Sequence, residues 1–389
     1  MKILVVTPTF LPVVGGAELG IHEIYSRLGE KHEVFILTPK LSKKIINNFG
    51  ANEFSCEGCN YKVVRYRNWC KIPIILKNFL NGFFPPVSFS LVFAIIKFIS
   101  KNKPDLINFH FLVHNGLAIF LIKFFTKIPI VINLVGRSDV IGSETPFFWR
   151  YYWRILLSIG DLVIPNSNFY LGNLQCNNIK IIPFGVDVER FSHKIRNESI
   201  KEKLNISYKK KVLFSLQRLS LEKRVDILIR AMHFLVRDYN DVVLIIGGKG
   251  PEQQKLMQLV NDLNLRDHII FVGYIPEHEL PCFFLCCDIF VFHSTFETFG
   301  VVFAQSFASG KPVVTVNSTS IPEVVRNGEY GLIVPPLDPQ ALAEATKRLL
   351  LDEQLYKQIS SNVLKIAMQK YDWQKIAEEF NSTFLQLVN

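Results

Sequence analysis

Short apolar runs alternate with segments of helical spacing along this chain, and the series is played twice. In the first half Lys2–Thr7 opens the series, followed by a helical pattern over Ala17–Leu28. Further apolar runs follow at His32–Leu37, Tyr61–Tyr66, Leu106–Phe109, Ile130–Leu134 and Leu162–Pro165. The runs lack polar alternation, as parallel strands covered on both faces do. The series restarts with a strand at Lys211–Leu216, a helix at Val225–Val236, a strand at Val242–Ile246 and a helix at Glu252–Asn264. Strands at His268–Val272, Ile289–His293 and Pro312–Val316 complete it. Alternation of this kind predicts an α/β class with two Rossmann-like doubly wound domains. The length, 389 residues, also exceeds what one core usually organises. The polar stretch Val186–Tyr208 places the boundary, giving domains over 1–190 and 191–371, with an amphipathic helix from Asp372 to Val388 inside a terminal segment 372–389. Open α/β sheets bind ligands beyond the C-terminal ends of their strands, so the site is expected in a cleft where the two domains face each other.

The charge is uneven. Residues 1–185 hold 20 Lys+Arg against 10 Asp+Glu, which leaves 24 against 24 for the remainder, so the net +10 belongs entirely to the first half. A basic half suits an anionic partner such as a membrane lipid or a lipid phosphate, although scattered surface lysines would give the same balance. No nucleic-acid module is present, and nucleic acid is not expected as a partner. The seven cysteines, Cys56, Cys59, Cys70, Cys176, Cys282, Cys286 and Cys287, are odd in number and irregularly spaced. That predicts reduced, structural thiols and a cytoplasmic chain. Cys56-x-x-Cys59 lacks the second pair that zinc needs. The start reads as a strand and not as a signal peptide. The longest uncharged run, Asn78–Ile96, is interrupted by Asn81, Gly82, Pro85 and Pro86, which predicts a loop followed by a buried helix. Asn68–Ile99 (with Trp69, Lys71, Lys77, Phe79, Phe83 and Phe84) and Phe147–Leu157 both mix aromatic and basic residues. They fit either peripheral contact with the cytoplasmic face of an anionic membrane or ordinary core packing.

Three loops carry candidate chemistry. Pro8–Glu18 contains Gly15-Gly16 between a strand and a helix, where backbone can approach a ligand and helix N–H groups face an anion; a tight turn explains the same residues. It is not a dinucleotide fingerprint. Arg218-Leu-Ser-Leu-Glu-Lys223-Arg224 places cations where they can converge on a diphosphate, or simply face solvent. Ser294–Val313 carries Glu297 on a loop and then a helix from near Gly300 through Gln305 to Ala308. Thr298, Gly300 and first-turn N–H groups suit a phosphate, the Glu297 carboxylate suits sugar hydroxyls, and Gln305 suits ribose hydroxyls. His110 and His114 sit in an apolar run, where a histidine is ordinarily a bonded core residue.

Taken together these segments resemble the retaining GT-B glycosyltransferases of the group 1 family (family 4). The segments, in the family's order, are Gly15-Gly16-Ala17-Glu18; Pro104-Asp105 through Asn108 and His110-Phe111; Gly136-Arg137-Ser138-Asp139; Ile182-Pro183-Phe184-Gly185-Val186-Asp187; Gln217-Arg218 with Lys223; and Glu297 to Pro312 followed by Ile321-Pro322-Glu323 and Asn327-Gly328-Glu329-Tyr330-Gly331. They span nearly the whole chain. The resemblance implies a GT-B fold and transfer of a sugar from an NDP-sugar to a glycan or lipid-linked acceptor with retention of configuration, in cell-surface polysaccharide or glycolipid synthesis. It implies that Arg218 and Lys223 meet the donor diphosphate, that Glu297 holds sugar hydroxyls, and that backbone at Phe299, Gly300 and Val301 touches sugar or phosphate. Gly15 and Gly16 would lie under the transferred group, Asn108, His110 and Asp139 on the acceptor side of the N-terminal domain, and the terminal helix would cross back to that domain. Glu297, Arg218, Lys223 and His110 are the catalytic candidates.

Four departures stand out. Gln305 replaces the family's second acid, seven residues beyond the first. Val135 replaces a histidine before Gly136. Asn108-x-His110 replaces a His-x-His pair. Gln217 and Arg224 occupy positions where glycine is common. No Asp-x-Asp motif occurs, so neither a cofactor nor a metal on the diphosphate is expected. The alternative expectation is a degenerate relative that holds a nucleotide or glycan without chemistry.

Overall fold

The computed structural model describes residues 1–13, 15–41, 59–67, 89–140, 147–171, 178–192 and 200–388. Cys56, Cys70, Cys176, Trp69, Lys71, Lys77, Phe79, Phe83, Phe84 and most of the uncharged run therefore lie outside the described residues, as do the side chains of Phe148 and Trp149. The chain forms two compact units, Met1–Pro183 with Gln374–Asn389, and Phe184–Trp373.

The first unit is built on β1 (Lys2–Val6), β2 (Glu33–Pro39), β3 (Tyr61–Tyr66), β4 (Leu106–His110), β5 (Ile130–Leu134) and β6 (Leu162–Pro165), all parallel, in the order β3-β2-β1-β4-β5-β6. Ile3, Leu4, Val5 and Val6 have no exposed surface, which is why β1 reads as an unbroken apolar run. Helices Gly16–Leu28, Phe89–Asn102, Leu112–Phe125 and Phe147–Ile159 flank the sheet. The last helix, Trp373–Val388, packs from Gln374 onward with this unit: His32 Nε2 lies 2.6 Å from Asn381 Oδ1, and the Lys180 ammonium donates to the Thr383 hydroxyl at 2.8 Å.

The second unit repeats the plan with β7 (Lys211–Leu216), β8 (Val242–Gly247), β9 (Ile269–Gly273), β10 (Ile289–Val291), β11 (Val313–Val316) and β12 (Gly331–Val334), in the order β12-β11-β10-β7-β8-β9. Its core is aromatic. Phe214 meets Phe284 edge-on at 5.1 Å and Phe290 at 5.9 Å, and Phe292 meets Phe303 at 5.1 Å. Each fully buried ring contributes about 2–3 kcal/mol of apolar burial. The helices include Val225–Asp238, Gln253–Asp262, Val301–Ala308, Pro339–Leu351 and Glu353–Ile366.

Two orders of this kind reverse direction once each, between β1 and β4 and between β7 and β10. Loops leaving those neighbours diverge to opposite sides and leave a crevice beyond the strand ends, where α/β proteins place ligands.

One expectation is corrected. Cys59 is disulfide-bonded rather than reduced. An odd count argues against a framework of bridges, but a single bridge needs only two sulfurs within reach. Cys282, Cys286 and Cys287 are not disulfide-bonded, and burial pushes the Cys287 thiol up to about 12. Among the described residues no helix is long and apolar enough to cross a membrane.

Candidate active site

The second unit's crevice is shaped by the loops after β7 and β10. After β7 the chain turns through Leu221–Lys223, and Arg224 adopts a left-handed conformation (φ 44°, ψ 46°) before helix Val225–Asp238 begins. This explains one departure from the family pattern, since a position of this kind favours glycine. The Arg224 guanidinium is occupied locally, donating to both carboxylate oxygens of Asp226 at 2.9 Å. Its neighbour Lys223 turns the other way and forms an ion pair with Glu297. The two side chains are 19% and 14% exposed, so solvent screens the pair only partly. The same ammonium lies 5.7 Å from the centre of the Phe292 ring.

The loops are stitched together by backbone. Thr295 donates its N–H and its hydroxyl to the carbonyl of Glu222, and the N–H of Glu297 donates to the Thr319 hydroxyl at 2.8 Å. The Ser320 hydroxyl donates to the Glu297 carbonyl at 2.9 Å. Glu297 is thus held at both ends of its peptide while its carboxylate faces Lys223. Arg218 sits at the start of the same β7 loop, is exposed, and makes no ion pair among the described residues.

Beyond Glu297 the chain passes Thr298 and Phe299 to Gly300 (φ 81°), and helix Val301–Ala308 starts there. A Cβ on Gly300 would lie 2.6 Å from the buried Phe303 ring, so both conformation and space require glycine. Phe299 is buried against Tyr371 and Phe184, which keeps its side chain from solvent. Val301 is half-buried in the first turn, and Gln305 lies one turn further, buried. His293, which the sequence reading passed over, is buried behind the loop. Burial and the nearby Arg224 charge push its imidazole down to about 4, against the pull of Asp226, and its Nε2 accepts from the Leu337 N–H at 3.4 Å. Gly248 and Gly250 were also missed. Their hydrogens face the carbonyls of Gln217 and Leu219, which a Cβ would approach to 1.9 and 2.1 Å.

The remaining candidates belong to the first unit. Gly15 caps helix Gly16–Leu28, and a Cβ there would lie 2.5 Å from the Glu18 carboxylate. That carboxylate accepts from the Thr9 hydroxyl at 2.5 Å, closing the loop after β1. Val14 lies outside the described residues.

Asn108 and His110 have no exposed surface. The His110 ring sits 3.0 Å from the Tyr25 hydroxyl and 3.0 Å from the Asn133 amide, and Asn108 donates to Tyr25 at 2.7 Å. Burial pushes the His110 imidazole down to about 3, so it is neutral at ordinary pH. Asp139 is also buried, and burial raises its carboxyl to about 6 against the opposing hydrogen bonds it accepts from the N–H groups of Gly136 and Val135, both at 3.2 Å. It clasps the loop after β5 rather than facing solvent. Tyr25 and Asn133 complete this buried cluster, and neither had a local signal in the sequence.

The structure therefore brings Lys223 and Glu297 together, holds Arg218 and Thr298 on the same two connected loops with Val301 and Gln305 on the helix that follows, and buries the side chains of Asn108, His110 and Asp139.

Comparison with known proteins agrees with this architecture. The model for glycosyl transferases group 1 matches residues 196–365, and that for glycosyltransferase family 4 matches residues 14–190. The chain is 23% identical over 392 residues to the N-acetyl-alpha-D-glucosaminyl L-malate synthase of Bacillus anthracis, covering 98% of this chain and 96% of that one. It is 26% identical to the alpha-monoglucosyldiacylglycerol synthase of Streptococcus pneumoniae over 86% of this chain and 75% of that one. Among solved structures, Anabaena Alr3699/HepE in complex with UDP superposes with a TM-score of 0.77 at 23% identity, covering all of both chains. With the two family models matching consecutive stretches that together span most of the chain, and a solved glycosyltransferase fold superposing over its full length, the chain belongs to the group 1, family 4 glycosyltransferases and has their two-domain α/β GT-B fold.

Proposed function

We propose that this glycosyltransferase moves a hexose from a nucleoside diphosphate sugar to a glycan or lipid-linked acceptor with retention of anomeric configuration. The carrying observation is the Lys223–Glu297 pair on two hydrogen-bonded loops at the point where the second sheet reverses order. Lys223 has three N–H donors, so one can hold Glu297 while the others meet a diphosphate oxygen. Arg218, exposed and in no ion pair among the described residues, adds a second cation. The N–H groups opening helix Val301–Ala308 add partial positive charge. Glu297, fixed through its own peptide, presents a carboxylate to sugar hydroxyls, and Gln305 supplies an uncharged acceptor and donor for a ribose. As the bond from anomeric carbon to diphosphate breaks, charge grows on the leaving oxygen beside these cations, and the acceptor hydroxyl attacks from the same face, its oxygen bonding to the anomeric carbon and its proton passing to the departing diphosphate. Because side chains and helix end meet that charge, chelator treatment is expected to leave the rate unchanged.

The UDP held by the Anabaena protein supports a donor of this class, and the name of the Streptococcus pneumoniae relative, a monoglucosyldiacylglycerol synthase, supports a product in glycolipid synthesis; cell-surface polysaccharide is the other product class of this reading. Work at an anionic membrane surface on the cytoplasmic side is part of the same reading. Helices Phe89–Asn102 and Phe147–Ile159 both pack against Leu112–Phe125, and none of the three contains an Asp or Glu. They leave Phe93, Phe120, Phe124, Phe125, Phe147 and Tyr151 exposed, with Lys97, Lys101, Arg150 and Arg154 on the same helices.

The test is turnover of a panel of UDP-, GDP- and ADP-sugars by wild type and Lys223→Ala. Donor turnover lost in a folded variant supports the assignment. A wild type that binds a nucleotide sugar but neither transfers nor hydrolyses it would favour the non-catalytic reading.

A further inference from the structure

The order of the first sheet leaves β3 at its edge, and helix Phe89–Asn102 covers only part of the face that β2 and β3 present. Beside the helix a groove of about 580 Å³ remains, a size typical of small-ligand sites. Its floor is apolar. Leu37 and Val64 are paired across β2 and β3 and both line it, with Ala94 and Phe98 from the helix forming a wall. Its rim is cationic. Lys40 and Arg67 stand at the ends of β2 and β3, and Lys97 and Lys101 stand one turn apart on the helix. All four are exposed, and among the described residues none makes an ion pair and no carboxylate lines the groove. A fifth cation, Arg65, is engaged elsewhere, donating to the carbonyls of Leu11 and Pro39.

An apolar trough with four exposed cations on its edge, unpaired among the described residues, matches an amphiphile with an anionic head. We propose that this groove binds one membrane phospholipid with an anionic head group, its phosphate on the rim lysines and Arg67 and its acyl chain along Leu37, Val64 and Ala94. The inference rests on the membrane reading above and gives that reading a specific lipid seat. Bulk charge attraction would need no groove. A zwitterionic lipid offers the same chain but no net charge for the rim.

The test is calorimetric titration of the full chain with monomeric short-chain phosphatidylglycerol and phosphatidylcholine. The variants are Arg67→Glu with Lys97→Glu, Ala94→Trp, and Lys209→Glu as a surface control in the other unit. Phosphatidylglycerol should bind at least about tenfold more tightly than phosphatidylcholine. The double reversal and Ala94→Trp should each weaken it by about tenfold or more, and Lys209→Glu should leave it unchanged. Ala94→Trp fills the trough without altering charge, so full binding in that variant overturns the proposal, as does equal affinity for the two lipids. Displacement by millimolar inorganic phosphate would show a phosphate site and overturn the lipid assignment. Vesicle co-sedimentation separates the two readings: wild type that binds the monomer but ignores anionic vesicles keeps the groove and removes the membrane role.

Discussion

Thr295 donates both its backbone N–H and its hydroxyl to the single carbonyl of Glu222, at 2.9 and 3.0 Å. This double bond of attachment fixes the β10 loop against the β7 loop, and Lys223 and Glu297 meet immediately beside it. Lys223→Ala should lower kcat/KM by about a hundredfold to a thousandfold, the size of effect seen when one donor to a developing negative charge is removed. Glu297→Gln should also lower it, and the double variant should lose less than the two single losses combined, because each single change strands a partner. Steady-state kinetics on the four proteins would measure this coupling. Strict additivity would mean the pair does not act as a unit.

Gly300 and Gly328 offer a controlled comparison. Both have positive φ, 81° and 78°, but a Cβ on Gly300 meets the Phe303 ring whereas nothing lies within 4 Å of one on Gly328. Gly328→Ala should cost only the conformational strain, about 1 kcal/mol. Gly300→Ala adds overpacking against a fully buried ring and should cost about 2–4 kcal/mol. Only the Gly300 change should also raise the donor KM. Denaturant melts and kinetics on both variants check the pair.

Arg224→Gly should be nearly neutral for stability. Glycine relieves the left-handed strain, worth about 1–2 kcal/mol. It forfeits a half-exposed ion pair with Asp226, worth about 0–1 kcal/mol, and adds chain entropy of similar size to the unfolded state. Arg224→Val keeps the strain, loses the pair and should be clearly destabilising. Equal melting temperatures for the two variants would contradict this account.

Acid should weaken the fold between about pH 6.5 and 4. His110 and His293 have imidazoles pushed down to about 3 and about 4 by burial, so the unfolded chain binds protons that the folded one excludes. Stability from each is therefore present above pH 6.5 and is lost as pH falls toward the folded value. Asp139 acts in the opposite sense. With its carboxyl raised to about 6, the folded chain binds the extra proton, and its contribution declines as pH rises from 3.8 to 6. Two histidines outweigh one carboxyl, so the net slope between pH 6 and 4 is positive. Melting temperature against pH should rise through that window, and more steeply in Asp139→Asn, where the opposing group is gone.

The parallel strands were legible because burial on both faces leaves an uninterrupted apolar run; β3, β5, β6 and β7 have the limits read from the sequence. β12 was missed. It is a short edge strand opening with Gly331, where a Cβ would lie 2.2 Å from the Val313 carbonyl, so close packing removed the side chain that would have announced it. The contact between Lys223 and Glu297 spans 74 positions and no local pattern encodes it; only resemblance linked the two. Tyr25 stands 85 positions from His110, and the sequence signalled neither it nor Asn133 as the histidine's partners. The disulfide at Cys59 escaped because counting thiols says nothing about which two sulfurs fold close together.

The helix Trp373–Val388 buries Ile376, Phe380 and Phe384, and from Gln374 onward it belongs with the residues that begin the chain. Modular exchange among relatives must respect that. A chimera that swaps everything after residue 183 imports a foreign patch for the recipient's first unit, whereas splicing at 183 and again at 373 exchanges one unit whole. The double-junction hybrid should express with an intact melting transition, and a fragment ending at residue 183 should expose an apolar scar and precipitate.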